Sequence, residues 1–94
     1  MGNADNSMNN NFNEYISIIL INEEHSDIIF EEIKSVEHQN NLEMIKTYTS
    51  KFLDFDENYV LNKSKIIPNL DKKFMFVDKS FELIKKINRL KNLL

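Results

Sequence analysis

The sequence predicts an α+β fold, a small sheet of about three antiparallel strands with helices packed on it, in the order strand, helix, strand, strand, helix. Three observations predict it. Tyr15 to Ile21 is almost continuously apolar and rich in β-branched residues, and its length and branching suit a buried strand. Pro68-Asn69 carries turn chemistry between two short apolar runs, Ile66-Ile67 and Phe74 to Val77, because proline pre-sets φ and asparagine tolerates αL. Asp78-Lys79-Ser80 then punctuates the chain before a helical pattern at Phe81, Ile84, Ile87, Leu90 and Leu94. The competing fold class is an all-α helical bundle. Leu70, Phe74, Val77, Phe81, Ile84 and Ile87 also fall at spacings of three and four, so that one helix could start at Asn69, and periodicity alone allows both.

The elements follow in order. Met1 to Asn13 is polar and asparagine-rich, with too little apolar surface to offset its ordering entropy, and is expected as a disordered tail. Residues 14–94 then form one domain. Tyr15 to Ile21 is the first strand; its helical alternative uses Asn11 and Glu14 as a capping box and buries Phe12, Ile16 and Ile19. Asn22 to His25 is a polar turn. Ser26 is expected to cap a helix with Asp27 in its first turn, and Ile29, Ile33 and Val36 form its apolar face. Asn40 and Glu43 make a second capping-box pattern, and Leu42, Ile45, Tyr48 or Thr49, and Phe52 continue at helical spacing. A helix of about Asn41 to Leu53 follows, either separate from the preceding helix or joined to it with a kink. Tyr59 to Leu61 and Ser64 to Ile67 read as strands joined by a polar turn, ahead of Phe74 to Val77 and the closing helix.

Ninety-four residues at 41% hydrophobic content support a single modest core. No run approaches the roughly eighteen apolar residues of a membrane span, and no basic segment with a small-residue cleavage site marks a secretory signal. Gly2 follows the initiator Met, but Asn6 stands where a myristoylation motif wants Ser or Thr. With no cysteine, disulfides, thiolate metal sites and cysteine nucleophiles are excluded, and an intracellular, reducing compartment is expected. The net charge of −3 is unevenly spread: residues 1–58 carry −9 and residues 59–94 carry +6. Either the halves attract each other across one surface, or the basic half meets an acidic partner.

Little in the chain suggests chemistry. Asp54, Asp56 and Asn58 imitate positions 1, 3 and 5 of a calcium loop, but Tyr59 replaces the turn glycine and Lys65 the bidentate glutamate. His25 and His38 fit no zinc spacing. No nucleophile elbow or phosphate-cradling glycine loop is present, so no enzymatic activity, cofactor or metal is expected. The basic terminal helix suits three kinds of partner: an acidic helix-binding protein, an anionic membrane surface or nucleic acid. Its shortage of arginine and of glycine–aromatic motifs leaves no direct nucleic-acid site evident, and no membrane partner is expected.

The apolar pairs Ile66-Ile67 and Phe74-Met75-Phe76-Val77, with Leu70-Asp71 between them, resemble the hairpin of a known family. This is the smallest subunit of the transcription and repair factor TFIIH, the trichothiodystrophy group A family. Asp78 to Leu90 is similar to that family's closing helix, and Tyr15 to Ile21 followed by Ser26 to Ile33 to its opening strand and first helix. Asn22-Glu23-Glu24 departs from the family's Asp-Pro, Lys72-Lys73 alters the hairpin tip, and residues 37–58 would be inserted. The resemblance implies a non-catalytic structural subunit of the nucleus, supporting transcription and nucleotide excision repair. It would form a homodimer when isolated and, in the complex, pair with the larger TFIIH subunit that anchors the XPB helicase. Pairing would use a strand edge, with Ile16, Ile18, Leu20, Phe74 and Phe76 as candidate sheet or interface residues. The alternative, from the all-α fold, is a binding or regulatory module that offers its basic C-terminal helix to an acidic protein.

Overall fold

The computed structural model describes residues 4–94, with side chains from Asn11 onward. Every regular element among them is a helix: α1 (Ala4–Leu20), α2 (Glu23–Gln39), α3 (Leu42–Ser50), α4 (Glu57–Ser64) and α5 (Leu70–Lys91). The expected α+β sheet is therefore corrected to an all-α fold. Each predicted strand lies in or beside a helix: Tyr15 to Ile21 in α1 and the turn that ends it, Tyr59 to Leu61 in α4, Ser64 to Ile67 at its end, Phe74 to Val77 in α5. Helix α1 also runs back through residues 4–13, the stretch expected as a polar tail; residues 1–3 of that expectation lie outside the described residues.

Four of the helix starts carry the same device. Asn22, Asn41, Asp56 and Asn69 each hold extended backbone geometry and accept a hydrogen bond from a backbone N–H of the first turn. The donors are Glu24 at 3.0 Å, Met44 at 3.2 Å, Tyr59 at 2.9 Å and Lys72 at 3.0 Å. Each satisfies an amide that the helix itself leaves orphaned. Asn40 and Asn41 divide the labour between two helices. Asn40 closes α2 in the left-handed region (φ 51°, ψ 36°), and Asn41 opens α3 one residue later, which keeps them two helices rather than one kinked rod. Asp56, a ligand position in the imitation calcium loop, is the cap of α4.

The residues expected as one sheet face separate in the helices. In a strand, Ile16, Ile18 and Leu20 would share a face, as would Phe74 and Phe76, because side chains alternate with period two. At 3.6 residues per turn, i and i+4 share a face and i+2 points away. Ile16 (4% exposed) and Leu20 (0%) are accordingly buried, and Ile18 between them is 67% exposed. Phe76 is fully buried and Phe74 is 65% exposed. The β-branching of Tyr15 to Ile21 is a local preference, and packing of a helical face overrides it.

Helix α5 is the hub and packs against each of the other four. Its inner face carries Phe76, Ser80, Leu83, Ile87 and Leu90. These meet Ile16 and Leu20 of α1, Ile29, Ile33 and Val36 of α2, and Ile45 and Tyr48 of α3 in one core. Phe52 and Phe55, from the turn after α3, extend it with edge-to-face rings 6.3 Å apart. Residues 37–58 are thus built into the core.

With one alanine and one glycine in the whole chain, small hydroxyl residues fill tight positions between helices. Ser17, Ser26, Thr49, Ser64 and Ser80 are all buried. Four of them donate to a carbonyl one turn back: Ser17 to Asn13 at 2.8 Å, Ser26 to Asn22 at 3.0 Å, Thr49 to Ile45 at 2.7 Å and Ser64 to Leu61 at 2.8 Å. Such local bonds let a polar side chain be buried without a tertiary partner. Ser26, expected as a cap, is one of these interior residues. Ser80 Oγ is buried with no partner.

Candidate binding surface

The outer side of α1 forms an apolar crest. Tyr15 and Ile18 stand exposed on it, between two grooves. The larger groove, about 430 Å³, lies between α1 and α2 and is closed at one end by α3. Phe12, Ile16 and Ile19 supply its α1 wall, Ile28 and Ile29 its α2 wall, and Tyr48 and Lys51 its end. Ile28 is as exposed as the crest residues, so three large apolar side chains from two helices surround one trough. The smaller groove, about 150 Å³, runs along the other flank of α1 to Ile66, Ile67 and Phe76. Ile18 lines both.

Polar groups sit at the margins. His25 and Glu32 belong to the α2 wall of the larger groove. Burial, and then the charge of Glu32, holds the Tyr48 phenol well above its ordinary value near 10, so this hydroxyl stays protonated in neutral solution. Lys51 places its ammonium 5.8 Å from the Phe12 ring centroid, within cation–π range. In the smaller groove Lys63 Nζ donates to Glu14 Oε2 at 2.6 Å, tying α4 to α1. The hydroxyls of Ser17 and Tyr59 share a 2.8 Å hydrogen bond across the same pair of helices. Burial raises the Tyr59 phenol as well, with the Ser17 bond acting in the opposite direction.

The unequal charges of the two halves meet at the surface, where α2 and α5 pack together. Helix α2 carries six acids against one lysine, and α5 carries seven bases against three acids. Arg89 Nε donates to Glu37 Oε2 at 3.1 Å and Nη2 to Oε1, and these bonds raise the guanidinium pKa further. Lys79 and Lys86 hold their ammonium groups 5.5 and 5.6 Å from the Phe30 ring centroid. Three of the seven bases of α5 are therefore engaged with α2.

Of the candidate interface residues, Ile18 falls on the crest and Phe74 on the outer side of α5, while Ile16, Leu20 and Phe76 belong to the core. Ile16 and Phe76 each also touch a groove floor. Tyr15 and Ile28 escape a strand-based reading of the sequence. The signal for Tyr15 was its place three residues before Ile18, on the side of α1 away from Ile16 and Leu20. Ile28 sits beside the buried Ile29 with no apolar neighbour at helical spacing on its outer side.

Among the described residues no group of three or more His, Asp or Glu side chains converges on a metal-sized site, and no helix is long and apolar enough to cross a membrane. Compared with family models, with curated proteins and with solved structures, the chain matches none.

Proposed function

We propose that this chain is a non-catalytic binding module for another protein, and that it works through the crest of α1 and the groove beside it. One observation carries the reading: Tyr15, Ile18 and Ile28 converge from two helices on a single trough and remain exposed. Scattered exposed apolar residues are ordinary, whereas a clustered patch around a groove is the mark of an interaction surface. An aromatic residue within it, Tyr15, fits the composition of such surfaces.

The alternative, α5 as a basic stripe offered to an acidic protein, has less behind it, because Arg89, Lys79 and Lys86 already face Glu37 and Phe30. Pairing with a larger TFIIH subunit through a strand edge loses its structural premise, since Phe74 to Val77 are helical, Ile66-Ile67 lie in the turn after α4, and no strand occurs among the described residues.

Co-purification of the full chain from the cells that make it tests the proposal, with Ile18→Asp beside Leu53→Asp. Leu53 is equally exposed but lines neither groove. Associated proteins are expected to be lost with Ile18→Asp and kept with Leu53→Asp, with both variants melting like the parent. Companions indifferent to Ile18→Asp would overturn it.

A further inference from the structure

The rim of the larger groove is charged on one side. Glu32 stands in the α2 wall. Glu24 and Glu31, four residues before and three after Ile28, share its side of the helix, and all three glutamates are exposed. Glu31 lies 3.6 Å from Lys34, an exposed pair that solvent screens. Against these acids the groove sets Lys51, beside Phe12 at the far end. Apolar floor and acidic flank together select an occupant.

A second copy of the chain is a poor candidate. A two-fold dimer through the crest brings the same patch to both sides, so two patches that each set Glu24, Glu31 and Glu32 against Lys51 would meet with negative charge in excess, and like charges across an interface are costly. Helix α5 of a second copy is a poor occupant as well, because its apolar face is buried in its own core and Lys79, Lys86 and Arg89 already face α2. A small apolar ligand fits poorly too. Such sites bury most of the ligand's surface, whereas Tyr15, Ile18 and Ile28 form an open trough with most of each side chain exposed.

We propose, resting on the binding-module reading above, that the α1–α2 groove takes one amphipathic helix of another protein, its apolar face on Tyr15, Ile18 and Ile28 and its flanks lined with lysine or arginine toward Glu24, Glu31 and Glu32. Helix-in-groove recognition supplies apolar anchors at i, i+3 or i+4, and i+7. The acidic rim then sets orientation and discriminates against acidic helices.

Two synthetic peptides test this, sharing one apolar face of leucines and differing in flanks of lysine and arginine or of glutamate. They are titrated into the full chain by amide chemical-shift mapping at low and high salt. The basic peptide is expected to shift amides of α1 and α2 and to bind about tenfold or more tightly than the acidic one, with the gap closing as salt screens the rim. Glu31→Lys with Glu32→Lys, folded by circular dichroism, is expected to remove the preference and keep the mapped site. Equal binding of both peptides, or tighter binding of the acidic one, would overturn the choice of occupant and leave the module reading to the co-purification result. Shifts confined to α5 would overturn the site. Light scattering that shows a dimer dissolved by Ile18→Asp would assign the groove to a second copy instead. Shifts of α1 and α2 with octanoate and with neither peptide would assign it to a small apolar ligand.

Discussion

Glu37 near the end of α2 and Arg89 near the end of α5 are joined by two hydrogen bonds between planar groups, fifty-two residues apart in the chain. The two-point geometry aligns the helices as well as attracting them. Arg89 is largely exposed, so the pair is expected to contribute little to stability and much of that through charge. In a double-mutant cycle with Glu37→Gln and Arg89→Gln, the coupling is expected to be favourable at low salt and to shrink as salt rises. A coupling that ignores salt would show that packing, not charge, holds these ends together.

Phe76→Ala and Phe74→Ala are chemically identical changes two residues apart, and helix phase separates their effects. Removing the fully buried Phe76 side chain is expected to cost about 3–5 kcal/mol, a large share of a small domain's stability. Removing the exposed Phe74 ring is expected to change stability by no more than about 0.5 kcal/mol. Denaturant midpoints of the two variants measure this. Similar losses for both would contradict a helix through residues 70–91.

Ser80→Ala is expected to stabilise the protein. The hydroxyl sits on the inner face of α5, fully buried and without a hydrogen-bond partner. A buried unsatisfied polar group costs about 1–3 kcal/mol, and alanine is the better helix former. A gain of about 1 kcal/mol would raise the melting temperature by about 4–8 °C in a domain of this size. Ser17→Ala gives the contrast: it removes bonds to Asn13 and Tyr59 and is expected to lower the melting temperature.

Tyr48 makes stability depend on alkaline pH. Its phenol is raised in the fold above the ordinary value near 10, so above pH 10 the unfolded chain releases this proton while the folded chain retains it. The unfolded state then binds fewer protons, and stability falls as pH rises through that range. Below pH 10 the contribution is fully present and flat. Tyr59 is shifted in the same direction. Urea midpoints between pH 9 and about 12 are expected to decline in the parent and more gently in Tyr48→Phe, the span being set by the phenol's reference value.

Capping tests the boundary between α4 and α5. Asn69→Ala removes the acceptor for the Lys72 N–H and is expected to cost about 1 kcal/mol. Met75→Pro, midway along the first half of α5, is expected to cost about 3 kcal/mol or more. Far-UV circular dichroism of the parent is expected to show helix well above about two-thirds of residues, against about one-third for an average globular protein. A substantial sheet signal would refute the all-α architecture.

Much of the helical skeleton was legible in the residues. The faces Ile29–Ile33–Val36 and Ile45–Tyr48 follow from spacing and cap chemistry, whereas the start of the last helix at Asn69 was only the rival to a cap at Asp78 or Ser80. The strands were read from local preference. Tyr15 to Ile21 is β-branched because Ile is abundant in this chain, and a buried helical face accepts isoleucine once α2 and α5 cover it. Pro68-Asn69 serves a turn and a helix start equally well, since asparagine is favoured in both. Asp78-Lys79-Ser80 looked like punctuation, yet Ser80 points into the core where a larger residue would hold the helices apart. The binding surface was harder to see. Helix phase puts Tyr15 and Ile28 off the buried faces of α1 and α2, but that the two stand over one groove depends on how those helices pack, which no local pattern encodes.

Ile18 lines both grooves and contributes nothing to the core beneath it. Its neighbours Ile16 and Leu20 are held to their identities by packing on every side, so change there is paid for in folding. Ile18 is free of that constraint. A chain built this way can drift to a new preference at one position, altering what either trough accepts, while the scaffold beneath keeps its shape. Recognition and foldability then vary independently, residue by residue, along a single helix.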